Sequence, residues 1–420
     1  MTGPSPGQAQ QVTFAQLWAE LLAVGRDQGT GGYRRYSWTD ADAACRDWFA
    51  RTAGGLGLCT EYDRNGNLWA WWGKPGSTDQ RSAAAIVTGS HLDSVPDGGA
   101  FDGPLGIVSA FAAISRLRAA GFRPARPLGV AAFTEEEGAR FGVACLGSRL
   151  LTGAIAPDAA IRLRDADQLT LAAAMRAAGR DPGAVGPDDE LLGGIAAYVE
   201  VHIEQGSALA GLGAAVGVAE GIWAHGRWRI DFTGRADHAG TTRLADRRDP
   251  MLPYAATVLA ARAAAQRRGG LATIGKVVAD PGAANAISSA VHAWLDARAP
   301  DDTALEQLVT DVWEAAQTAA ADHGVAVARR QESLTPAVSF DPALRDRIVG
   351  VLGAAGLGAP VLPTGAGHDA GVLAARVPAA MLFVRNPTGV SHSPAEHADP
   401  ADCEAGVAAL AAVLADLAGQ

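Results

Sequence analysis

Apolar residues recur at helical spacing in TFAQLWAELLAVG (13–25) and in SWTDADAACRDWFARTAGG (37–55), and these two stretches predict the first helices. The second has Thr39 or Asp40 near its cap and Gly54 past its end. Short apolar runs then alternate with longer helical patterns. AAAIVTG (83–89), PLGVAAFT (127–134) and AYVEVHIEQG (197–206) read as strands, with a helix in GIVSAFAAISRLRAAG (106–121). Alanine-rich pieces between Thr152 and Gly194 read as helices and connections. Such alternation predicts an α/β fold built on a largely parallel, helix-covered sheet.

After His202 the pattern changes. GAAVGVAEGIWAHGRWRIDFTG alternates around Trp228, Ile230 and Phe232, as antiparallel strands with one buried face do. A helix in PYAATVLAARAAAQRRG, strands in LATIGKVVAD and AVHAWLDAR, a helix in TALEQLVTDVWEAAQTAAADHG and a strand in VAVARR complete an α+β unit over 214–332. The α/β pattern then resumes with a helix from Leu344 to Ala355, a strand near PAAMLFVR and a final helix from Asp399 to Leu417. If His392 shares a site with His91, residues 1–213 and 333–420 form one domain and 214–332 is inserted within it.

Composition narrows the function classes. At 420 residues the chain exceeds the size at which one core keeps growing, which fits two domains. Hydrophobic content of 48% against 19% charged residues is that of a compact globular protein. A net charge of −10 with no basic run argues against nucleic-acid and anionic-membrane partners. Cys45, Cys59, Cys145 and Cys403 form no close pair, so neither a disulfide framework nor a thiolate zinc site is expected, and a reducing cytoplasm is the expected location. The N-terminus lacks a basic patch followed by an apolar core, and no apolar run approaches about 20 residues, so neither export nor membrane spanning is expected. The first eleven residues read as a loose tail.

The chemistry gathers where putative strands end. GSHLDSVPDGGAFDGPLG carries His91, Asp93 and Asp102 in a glycine-rich loop, FTEEEGARFG carries Glu135, Glu136 and Glu137, HIEQG carries His202, and GVSHSPAEHAD carries His392 and His397. Each alone has a plain structural explanation: a capped turn, a solvated acidic face, a surface histidine. Together they stand at the carboxyl ends of strands, where α/β sheets build ligand sites. Imidazole and carboxylate donors suit zinc, manganese, cobalt or nickel better than calcium. Five donors are too many for one tetrahedral ion with an open position, and suit two divalent ions sharing one carboxylate. A spare glutamate beside a ligand glutamate is what proton transfer in hydrolysis needs, and Asp93 is placed to orient His91.

GSHLDSVPDGGAFDGPLG, EEEGARFG with GSR, HIEQG, DHAGTT, GAGHDA and SHSPAE, in one order along nearly the whole chain, resemble the N-carbamoyl-L-amino-acid hydrolase, β-ureidopropionase and allantoate amidohydrolase family, relatives of aminoacylases and two-zinc carboxypeptidases. The resemblance implies an inserted lid domain that also forms a homodimer, with His91 and His202 on one metal, Glu137 and His392 on the other, and Asp102 bridging. It implies Glu136 as general base and Gln205 as a substrate contact. It also implies that His238 crosses the dimer interface to stabilise the oxyanion, and that Asn285 and Arg298 hold the substrate carboxylate. The implied reaction is cleavage of a ureido or carbamoyl C–N bond of a small carboxylate, with release of ammonia and carbon dioxide. An N-acyl or N-formyl amino-acid hydrolase, a peptidase, a catalytically silent ligand binder and a cysteine amidase on Cys145 are the rival readings. His368 is expected near the site without binding metal. Arg243 and Ser288 stand where the family commonly has other residues, which bears on specificity.

Overall fold

Thr13 caps the first helix, Phe14–Leu21, by accepting from the Gln16 amide while Gln16 reaches back, a capping box. Thr39 caps the second, Asp40–Gly55. These belong to a computed structural model that describes residues 11–74 and 83–419, so the expected tail, except for Gln11, lies outside the described residues. The chain divides into two compact units. One takes the chain up to Glu220 with Ser339–Leu362 and the segment from Gly367 onward; the other takes Gly221–Val338 and Pro363–Ala366.

The first unit is α/β around a nine-stranded sheet. Its centre is parallel: Leu128–Phe133, Ala85–His91, Ile195–Ile203 and Ala379–Val384 lie side by side in that order. All four are almost continuously buried, as strands covered on both faces must be. Two antiparallel strands that the hydrophobic pattern did not mark, Cys59–Tyr62 and Leu68–Trp72, extend one side. On the other side Val216–Ile222 pairs antiparallel with Ala379–Val384. That strand was expected in the inserted unit; it is buried at six of seven positions, so alternation could not say which sheet it joins. Pro104–Ala119 is the central helix. It starts with proline in its first turn and packs against both sheet and Pro400–Ala418. Fully burying one of its side chains, such as Phe111, contributes about 1.5–3 kcal/mol.

The second unit is a four-stranded antiparallel sheet in the order Ala326–Thr335, Ala224–Thr233, Ala290–Ala299, Leu271–Asp280. Ala224–Thr233 and Ala290–Ala299 alternate between buried and more exposed positions, and the buried set packs with helices Met251–Arg268 and Asp302–Asp322. Among the described residues no helix is long and apolar enough to cross a membrane.

Candidate active site

Within the first unit, the ends of the parallel strands bring together residues that are remote in sequence. His91 is the last residue of its strand and His202 the last but one of the next, both about 1% exposed. Glu136 and Glu137 follow Leu128–Phe133, and His392 lies in the irregular segment after Ala379–Val384. Gly103 lets the central helix begin against the site: its φ is +84°, and a Cβ there would lie 2.5 Å from the His91 ring.

Asp102 is the hub. Its Oδ1 lies 3.5 Å from His91 Nε2 and 3.1 Å from His202 Nε2, and its Oδ2 lies 3.4 Å from His392 Nε2. His392 Nε2 is in turn 3.5 Å from Glu137 Oε2. Two triads result, His91–Asp102–His202 and Asp102–Glu137–His392, each with ligand atoms within 4.8 Å of one another and both sharing Asp102. The imidazoles are held from behind. His91 Nδ1 faces the Asp93 carbonyl at 3.1 Å and His202 Nδ1 the Ile203 carbonyl at 2.8 Å, which puts the proton on Nδ1 and leaves the Nε2 lone pairs toward Asp102. His91 Nε2, His202 Nε2 and Glu137 Oε1 are buried and make no hydrogen bond among the described residues. Buried polar atoms without partners are costly, and nitrogen lone pairs facing a carboxylate oxygen call for a cation between them. The donor set therefore fits two divalent ions.

Asp93 acts differently from the simplest expectation. Its backbone carbonyl meets His91, while its carboxylate oxygens, the nearer 3.6 Å from the ring, accept the amides of Glu136 and Glu137 at 3.1 Å each. It thus ties the histidine loop to the glutamate loop, whose turn is made by Glu135 at φ +58°. Glu136 Oε2 stands 3.7 Å from His91 Nε2, and its Oε1 accepts from Cys145 Sγ at 3.3 Å. Cys145 is buried but in contact with this carboxylate. Gln205 Nε2 donates to Asp102 Oδ2 at 2.7 Å.

Electrostatics follow from burial and crowding. Burial pushes the Glu136 carboxyl well above the usual range; His91 opposes this, and Asp369, Glu137 and Asp93 add to it. Burial and Asp102 lift Glu137 to about 7. For Asp102 burial pulls upward, but the nearby imidazoles of His202, His392 and His91 outweigh it and hold the acid well below its ordinary value. Asp102 and then Glu137 raise His392 to about 9 against desolvation, and carboxylates likewise raise His91 and His202 against burial. A histidine with a raised folded pKa stabilises fully below its unfolded value and loses that contribution as pH climbs through the folded one. Metal-stripped protein is therefore expected to melt at lower temperature at pH 9 than at pH 7. Added divalent ion should recover more stability at the higher pH, because ligation displaces those protons; thermal melts at the two pH values check this.

Glu200, Asp369 and the contacts of Glu396 were not foreseen, whereas His368 was expected near the site. Glu200, fully buried two residues before His202, accepts from Ser90 Oγ at 2.8 Å and from the Ala370 amide at 3.0 Å. Strand periodicity puts Glu200 and His202 on one face, a signal present in the sequence. Asp369 is also fully buried and accepts from Ser148 Oγ at 2.5 Å. His368 is buried with its ring 4.4 Å from that of His202, and forms a third group of potential ligands with Glu200 and His202. Glu396 accepts the amides of Phe101 and Asp102. His397 faces Asp399 on the surface.

In the second unit His238 and Ala286 pair in a short two-stranded ladder. His238 Nδ1 accepts the Gly240 amide at 3.0 Å, so the exposed ring carries its proton on Nε2 and can donate from it. Asn285 is exposed, its carbonyl accepting the Ala239 amide. The Arg298 guanidinium is held by Asp296 Oδ1 at 3.0 Å and the Gly365 carbonyl at 2.6 Å. Arg243 pairs with Asp246 on an exposed turn.

The model of the peptidase family M20/M25/M40 matches residues 87–416. The N-carbamoyl-L-amino acid amidohydrolase of Geobacillus stearothermophilus is 35% identical over 94% of this chain and 96% of its own. The allantoate amidohydrolase of Bacillus subtilis is 31% identical over 96% of each. Among solved structures, a hydantoinase/carbamoylase family amidase from Burkholderia multivorans superposes with a TM-score of 0.87 at 31% identity, over 98% of this chain and 99% of that one. With similarity of this extent from end to end, the chain belongs to the peptidase family M20/M25/M40, in the branch of the carbamoylases and allantoate amidohydrolases.

Proposed function

We propose that this chain hydrolyses the ureido or carbamoyl C–N bond of a small carboxylate, allantoate or an N-carbamoyl-L-amino acid, releasing ammonia and carbon dioxide. The observation that carries the reading is a single carboxylate, Asp102, shared by two sets of potential ligands beside a glutamate that belongs to neither. His91 and His202 would hold one divalent ion, Glu137 and His392 the other, and Asp102 both, with zinc first and manganese, cobalt or nickel as alternatives. When bound, such a pair polarises a carbonyl and makes water a strong nucleophile at neutral pH.

The chain's own groups do the rest. Glu136, pinned at Oε1 by Cys145, takes the proton of the attacking water at Oε2 and returns it to the leaving nitrogen. Its burial raises its basicity, which suits a general base near neutral pH. Asp93 orients His91 and holds the amides of both glutamates. Gln205 is the proposed contact to substrate, Asn285 and Arg298 the pair for its carboxylate, and His238 of a homodimer the donor to the developing oxyanion. The free Nε2–H of His238 supports that role, and the planar fork of Arg298 suits a carboxylate better than an ammonium would. A cytoplasmic location is part of the same proposal.

The test is a substrate panel on stripped protein reloaded with defined divalent ions. Ammonia released from allantoate or an N-carbamoyl-L-amino acid is the expected product; release of formate, acetate or an amino acid from acyl or peptide substrates instead would replace the reading. For Arg298→Lys a roughly ten- to hundredfold rise in KM is expected with kcat largely kept, the worth of a charge-assisted hydrogen bond to bound carboxylate. Steady-state kinetics on the best substrate reads both constants.

A further inference from the structure

Four of the five proposed ligands stand on strand ends or are tied to tightly held loops. His392 does not. Its side chain is 51% exposed, its backbone is left-handed at φ +55°, and its Nε2 stands 3.4 Å from Asp102 and 3.5 Å from Glu137. What locates it is the segment that carries it. Glu396, four residues on and 5% exposed, reaches back 295 positions in the chain to the loop of Asp102. Its Oε2 accepts the amides of Phe101 at 2.9 Å and Asp102 at 3.0 Å, and its Oε1 accepts from Ser391 Oγ at 3.4 Å. Ser391 Oγ lies equally far from Asp102 Oδ2. Gly99 makes room for this clamp: a Cβ there would fall 2.3 Å from Glu396 Oε2 and 2.5 Å from its Cβ.

We infer that Glu396 is a positioning residue that fixes the spacing between Asp102 and His392, so that the cation site formed by Asp102, Glu137 and His392 depends on it far more than does the site formed by His91, Asp102 and His202. The inference rests on the two-ion reading above. It follows from where the constraints lie: His91 and His202 are each anchored through Nδ1 to a backbone carbonyl and buried in the sheet end, whereas the half-exposed His392 is joined to the Asp102 loop through Ser391 and the Glu396 carboxylate. Groups that orient ligands typically change metal affinity by about 10–100-fold when removed.

The experiment is a zinc titration of stripped protein against a chelating competitor, on the wild type, Glu396→Ala, Glu396→Gln and Gly99→Ala. Two zinc ions are expected per wild-type chain. In E396A the tighter ion should stay within about threefold while the other weakens by about 10–100-fold, with E396Q between because its amide oxygen still accepts. Gly99→Ala should weaken the same ion by displacing the clamp. Deuterium exchange on the metal-free protein gives a second readout: the amides of Phe101 and Asp102 should exchange faster in E396A than in wild type. Should E396A not fold, E396Q and G99A carry the same comparison. Two ions of unchanged affinity in these variants, or equal weakening of both ions, would overturn the positioning role while leaving the two-ion reading intact. A wild type that binds fewer than two zinc ions would overturn both.

Discussion

Glu136→Gln is expected to lower kcat by about a hundred- to ten-thousandfold, the usual worth of a positioned general base, while the protein keeps both divalent ions and melts where the wild type does. Glu136 lies outside both triads of potential ligands, and the hydrogen bond its backbone N–H donates to Asp93 does not involve the side chain. Glutamine keeps the shape and the Cys145 contact but cannot accept and return a proton. Kinetics alongside metal content distinguishes this from a ligand defect: lost ions in E136Q would assign the carboxylate to the centre itself, and unchanged turnover would revive the silent-binder reading.

Asp102→Asn should have the other large effect. Both triads share this residue, and its carboxyl is held well below its ordinary value by the histidines around it, so it offers full negative charge to both ion positions. An amide of the same shape presents one neutral oxygen to two cations. Neither ion is expected to survive gel filtration at neutral pH, and turnover should fall at least as far as in E136Q. Activity that persists with one tightly held ion would show that a single ion suffices.

The strand ends carrying these residues were legible because chemistry and pattern coincide there. An apolar run of strand length stops, glycines follow, and His91, Glu136 or His202 stands at the stop. The order of the central strands could not be read, since it is set by pairing between runs that look alike. Leu68–Trp72 escaped notice although LWAWW is as continuously apolar as the runs that were read as strands. Val216–Ile222 was assigned to the neighbouring unit because a strand buried on both faces carries no label of the sheet it joins. At the site, the sequence singled out candidate residues but not the contacts that hold them. Asp93 was read as a side-chain partner of His91, whereas its carboxylate serves two glutamate amides; such bonds depend on a turn made by Glu135 in a left-handed conformation that residue type does not announce. Glu396 lay within SHSPAE, yet its partners are amides 294 and 295 residues away, a relation only the folded chain contains.

The proposed chemistry needs two cations meeting at Asp102. The most direct measurement is anomalous diffraction at the zinc edge from crystals of zinc-loaded protein. Two peaks are expected, one among His91, Asp102 and His202 and the other among Asp102, Glu137 and His392. A lone peak, or peaks elsewhere in the chain, would contradict it.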